Sequence, residues 1–167
     1  MDKEARRILL RRVLLAAALV IAALIYYFSD QDGSQSAELS GGATRFLLHA
    51  FVPGYDGLPQ SQQLAYMSSL AFYVRKAAHF SEYALLAAML EGYLYLRLPS
   101  GSLRLSGLGA WLIATAYAGT DEVHQMFVAD RGPSLADVGI DSAGALFAVL
   151  IVAAALAARR RRKRKEK

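Results

Sequence analysis

The chain has 167 residues, one domain's worth, and 55% of them are hydrophobic. A mean hydropathy of +0.28 argues against an ordinary soluble protein, and the lack of cysteine excludes disulfides, thiol nucleophiles and thiolate metal sites. The net charge of +5 and pI of about 9.6 arise mostly at the two ends, where basic clusters read as topology signals touching anionic lipid; no nucleic-acid partner is expected.

The first apolar run, residues 13–28, carries no charge. Arg11 and Arg12 can snorkel at one end of it, and Tyr26, Tyr27 and Phe28 suit the headgroup belt at the other. Residues 29–36 are polar and turn-rich. Residues 38–51 place Leu39, Phe46, Leu47 and Ala50 at spacings suited to a surface helix, with Gly41-Gly42 weakening its start. Pro53 to Pro59 is a turn cluster. From Gln60, apolar residues recur at helical spacing, and the absence of Gly or Pro until Gly92 predicts one helix running unbroken into the second span.

Pro99-Ser100-Gly101 closes the next connection, and residues 105–120 are again uncharged. A turn at Asp130-Arg131-Gly132-Pro133 follows, and Ser134 with Asp137 three residues on predicts a helix cap. The last run, 138–158, is broken only by Asp141. Its Gly139, Ser142, Ala143 and Gly144 allow close helix contact.

A bilayer core needs about 20 helical residues. The expectation is therefore an all-α membrane protein, a bundle of four transmembrane helices at about 11–28, 72–97, 104–125 and 135–158. An extracytoplasmic loop would carry one or two interfacial helices. One membrane domain covers residues 1–158, and residues 159–167 form a solvated basic tail. Five basic residues precede Val13, and eight lie in 159–167, whereas residues 29–71 hold Arg45 alone against Asp30, Asp32, Glu38 and Asp56. The positive-inside rule then puts both termini in the cytoplasm.

Charges at bilayer depth cost about 2.5–3.5 kcal/mol each even on the lenient insertion scale, so they persist where they have a task or a partner. Arg75, His79 and Glu82 fall at i, i+4 and i+7, on one helical stripe. Asp121 shares a stripe with His124 or Gln125 near the outer end of the third span, and Asp137 stacks on Asp141 in the fourth. With Lys76, Glu122 and Arg131, these residues predict an outward-facing polar pocket between the second, third and fourth spans.

Arg-Lys-x-x-His-Phe-x-Glu-Tyr at 75–83, Asp-Glu-x-His-Gln-x-Phe at 121–127, Arg131, and Asp-x-x-x-Asp-x-x-Gly at 137–144 together resemble the VanZ-like family. Ser29-Asp30-Gln31 stands where the family's first motif often reads Ser-Ser-Gln. The resemblance implies a small bacterial inner-membrane protein, in a family named after a member linked to teicoplanin resistance. It implies no settled reaction.

Three readings of the polar residues follow. In the first, the pocket binds or processes an anionic envelope molecule, a lipid-linked cell-wall precursor or a phospholipid headgroup. Arg75, Lys76 and Arg131 would hold the anion, Glu82, His79 and His124 would be acid–base groups, and Asp121, Glu122, Gln125, Asp137 and Asp141 would orient or pair. In the second, His79, Glu82, Glu122, His124 and Asp141 supply donors for a metal-dependent hydrolase, although no His-Glu-x-x-His signature brings two histidines together. In the third, the charges are interhelical ion pairs, Arg75 with Glu82 or Asp121 and Arg131 with Asp137, in a non-catalytic accessory protein. No motif assigns a cofactor. Glu91 reads as snorkelling or pairing with Arg97, and His49 as a surface residue.

Overall fold

The computed structural model describes residues 2–98 and 102–165. Among them it is all-helical: α1 (Lys3–Ser29), α2 (Gly33–Phe51), a 3₁₀ turn (Tyr55–Gly57), α3 (Gln60–Arg97), α4 (Leu103–Gln125) and α5 (Leu135–Lys165). The predicted turn at Pro99-Ser100-Gly101 lies outside the described residues.

Local chemistry sets most of the helix ends. Asp2 Oδ1 accepts from Ala5 N at 2.7 Å to start α1, and Ser102 Oγ accepts from Leu105 N to start α4. The predicted cap of α5 forms, with Ser134 Oγ accepting from Asp137 N at 3.2 Å. The outer helix differs from expectation. It begins at Gly33, not Glu38, because Asp32 Oδ1 takes the backbone N–H groups of Ser34 and Gln35, both at 2.9 Å. That cap carries α2 straight through Gly41-Gly42.

Close packing rests on small residues, as Gly139 to Gly144 predict for α5. Ala110, Ala114 and Ala118 of α4 meet Tyr83, Leu86 and Ala87 of α3 and Ala145 and Val149 of α5 in one core. At Gly144 the α5 backbone lies so near the Phe80 carbonyl of α3 that any Cβ would overlap it. A second contact fixes the corner after α1. Gly33 N donates to Ala129 O at 3.3 Å, a Cβ on Gly33 would lie 2.8 Å from Asp130 O, and Asp130 itself adopts φ 56°, a left-handed conformation aspartate tolerates better than most residues. The α4–α5 turn is thereby tied to the start of α2.

The outer surface is apolar. Leu19 and Val20 of α1, Leu108 and Leu112 of α4, and Phe147 and Leu150 of α5 are all more than half exposed. Helices α1 and α5 are long and apolar enough to cross a membrane. Only 11% and 28% of their most apolar stretches are buried, unlike the core helix of a soluble protein. Of the four apolar runs expected, α3 and α4 do not meet that measure. α3 carries Arg75, Lys76, Glu82 and Glu91, and α4 spends its positions on Gly, Ala, Ser and Thr.

One smaller expectation is corrected and two gain detail. Residues 159–165 are exposed, as a solvated end should be, but α5 continues through them to Lys165, and Arg160 Nε donates to the Tyr95 hydroxyl at 2.9 Å with its guanidinium 4.9 Å from the ring centroid. Glu91 neither snorkels nor pairs with Arg97. It is fully buried, against Gly107, with no hydrogen-bond partner among the described residues. His49 is exposed, as expected of a surface residue, and is also engaged, Nδ1 lying 3.3 Å from Asp56 and its ring against Tyr55, which fastens the α2–α3 corner.

Candidate functional site

The α3 stripe forms as its spacing requires. Arg75, His79 and Glu82 line one cavity of about 290 Å³. Asp121 of α4 and Arg131 of the following turn join them. Ser29 at the end of α1, Gln31 just after it, and Ser36 and Ser40 one turn apart on α2 complete the polar lining. Apolar walls come from Ile25, Phe28, Leu39, Ala43, Val74 and Ala78. The cavity therefore opens among α1, α2, α3 and α4. No α5 residue lines it, which corrects the expected position between the second, third and fourth spans.

The two guanidiniums carry the electrostatics. Arg75 Nε is buried without a hydrogen-bond partner among the described residues, and neither Arg75 nor Arg131 forms an ion pair there. Arg131 donates only a long hydrogen bond, 3.4 Å, to Phe28 O. Burial, and then the neighbouring Arg75 charge, pulls the Arg131 pKa below the usual arginine value; arginine still stays protonated in water. Two like charges on one cavity, neither with a carboxylate at ion-pair distance among the described residues, leave guanidinium donors available to an anion there.

The remaining predicted residues sit around the cavity, not in it. Asp141 is fully buried behind the imidazole, Oδ1 3.6 Å from His79 Nδ1, with neither oxygen hydrogen-bonded among the described residues. Lys76 is ion-paired to Asp137 across α3 and α5. Glu122 Oε2 accepts from Ser134 N at 2.6 Å and so closes the α4–α5 turn. Gln125 Nε2 donates to Ser29 Oγ at 3.2 Å and Asp121 Oδ2 at 3.4 Å, fixing Asp121 to α1. His124 faces elsewhere, with Nε2 3.1 Å from Asp30 Oδ1 and its ring 4.7 Å from that of Tyr26.

The expected pairs Arg75 with Glu82 or Asp121, and Arg131 with Asp137, do not form among the described residues. Nor do any three His, Asp or Glu side chains there come together as a metal site. A model of the VanZ/LLP1 family matches residues 14–156. The chain belongs to the VanZ/LLP1 family. No curated protein and no solved structure matches it. The family match spans α1 to α5, so every cavity-lining residue of this VanZ/LLP1 protein falls inside it.

Sequence reasoning missed Ser40, although its i, i+4 spacing from Ser36 on α2 was an available signal. It also gave no role to Tyr83. Four residues after His79, Tyr83 is fully buried, its hydroxyl has no partner among the described residues, and its ring centroid lies 6.3 Å from that of Tyr117.

Proposed function

We propose that this VanZ/LLP1 protein is a four-span protein of the bacterial cytoplasmic membrane, with both termini inside, and that its outward-facing cavity binds an anionic cell-envelope lipid by the headgroup. The membrane placement is supported by α1 and α5 and by the apolar outer faces. At 1.5 Å per residue, the 38 residues of α3 and 23 of α4 also reach across a core about 30 Å thick. Arg75, Lys76, Glu82, Glu91, Asp121 and Glu122 on these helices are buried or half-buried, where such groups belong in a membrane.

The observation that carries the reading is the pair Arg75 and Arg131, two guanidiniums without carboxylate partners lining one cavity. Guanidiniums suit phosphate and carboxylate because their fork of N–H groups matches two oxygens at once. His79 and Glu82 share the cavity, so a bound headgroup meets two proton-carrying groups, with Asp141 behind His79 to orient the ring. That arrangement suits acid–base processing of the headgroup. The link to teicoplanin resistance implied by the resemblance is extended to this chain on the same footing.

Native mass spectrometry on protein extracted gently from its own membrane tests this, wild type beside Arg75→Gln/Arg131→Gln. Wild type should retain a phosphate- or carboxylate-bearing lipid that the double variant loses. Equal retention by both would remove the headgroup site.

A second reading has its own support. Lys76 with Asp137, Glu122 with Ser134 N, and His124 with Asp30 use predicted site residues to join helices. An accessory protein held by these contacts would lose stability, not lipid, when they are cut.

A further inference from the structure

We propose that the cavity takes a terminal phosphate or diphosphate borne on a hydrocarbon chain, and excludes heads capped by sugar, peptide or a second ester. The inference rests on the headgroup reading above and narrows it.

Size is the first argument. About 290 Å³ lies at the lower edge of pockets that enclose drug-sized ligands, about 300 Å³. A phosphate or diphosphate fits within it. A sugar–peptide head is larger and would have to protrude through the mouth.

Chemistry is the second. Glu82 and Asp121 line the cavity together with Arg75 and Arg131. A phosphodiester has one charge and no proton, so it offers the guanidiniums acceptors but has nothing to donate to the carboxylates. A terminal phosphate has an oxygen that titrates near pH 6, so it can share its proton with Glu82 or His79 and keep both sets of neighbours satisfied.

The rim is the third. Phe28, Leu39, Ala43 and Ala78 line the cavity and remain exposed, with Val74 half-buried beside them. Hydrocarbon therefore meets apolar side chains immediately beyond the polar floor. The chain can thus pass from the lipid tails to the polar floor without crossing a polar surface.

The test uses purified full-length protein in neutral nanodiscs and measures affinity for dodecyl phosphate, dodecyl methyl phosphate and ethyl phosphate. Dodecyl phosphate should bind at least tenfold tighter than the methyl diester. Ala78→Trp, an exposed position whose enlargement leaves the core alone, should weaken dodecyl phosphate at least tenfold more than it weakens ethyl phosphate; circular dichroism confirms folding. Equal affinity for the methyl diester overturns the terminal-phosphate assignment. An Ala78→Trp protein that binds dodecyl phosphate like wild type overturns the rim. The headgroup reading itself fails only if Arg75→Gln and Arg131→Gln leave binding of every probe unchanged. Farnesyl phosphate and phosphatidic acid form a last pair of arms: tighter binding of either supports the class and names its source as a single-chain or a glycerol-based lipid.

Discussion

Lys76 of α3 is ion-paired with Asp137 in the first turn of α5, and both side chains are mostly buried. Arg75, the preceding residue, faces the cavity and pairs with nothing among the described residues. One helical step of about 100° separates a structural cation from a candidate binding one.

Cutting the Lys76–Asp137 pair on one side leaves a charge without its partner. Lys76→Met or Asp137→Asn should each cost about 1–3 kcal/mol, between the values typical of exposed and fully buried pairs. The double variant Lys76→Met/Asp137→Asn should be more stable than either single one. Thermal melts of all four proteins in one detergent check this; strictly additive losses would show that the pair has no coupling.

Much of the fold was legible because periodicity and charge placement survive in the sequence. The unbroken α3, the Ser134 cap and the Arg75–His79–Glu82 stripe all follow from spacing on one helix. What was not legible depends on contacts between elements. His124 shares a stripe with Asp121, yet Asp30 and the Tyr26 ring hold it away from the cavity. The position of α2 against the cavity depends on the Gly33–Asp130 approach, which joins residues far apart in the chain. Lys76 and Arg75 are both basic and adjacent, and only the packing of α5 assigns them different partners.

Gly144 permits the α3–α5 contact. Its backbone passes so close to the Phe80 carbonyl that a side chain must push the helices apart. Gly144→Val should destabilise by about 1–3 kcal/mol, the usual cost of overpacking. Gly139→Val, at a position where an added side chain meets open space, is the control and should melt near wild type. Equal melting temperatures for the two variants would place the close approach elsewhere.

The start of α2 should respond to acid. The Ser34 hydroxyl, then the Gln35 backbone N–H, hold the Asp32 carboxyl below the ordinary aspartate pKa. A depressed folded-state pKa contributes stability that is fully present above the unfolded value, about 3.9, and is lost as pH falls through the folded value. Hydrogen exchange corrected for intrinsic rates should therefore show the first turn of α2 protected at pH 6 and opening below about pH 4. Asp32→Ala should open it at both pH values, and unchanged protection in that variant would remove the cap from the account.

The absence of cysteine makes the four-span reading directly testable. Single substitutions Ser34→Cys and Asp56→Cys should react with an impermeant maleimide added to intact cells. Lys3→Cys, Arg104→Cys and Lys163→Cys should react only after the membrane is opened. Labelling of Arg104→Cys from outside would break the expected pairing of α3 with α4 as two spans.

The two histidines of the predicted catalytic set should separate. His79 lines the cavity and has Asp141 behind it, whereas His124 lies against Asp30 and Tyr26. If acid–base chemistry or headgroup contact occurs in the cavity, His79→Ala should reduce lipid retention or turnover at least tenfold. His124→Ala should stay within about fivefold of wild type, because an exposed pair of this kind is worth at most about 1 kcal/mol. His79→Gln distinguishes contact from packing: it keeps a polar side chain of similar reach but cannot carry the proton, so retention should recover while turnover should not. Equal losses at His79 and His124 would mean that the histidines act as one unit, and that His124 moves into the cavity when it is occupied.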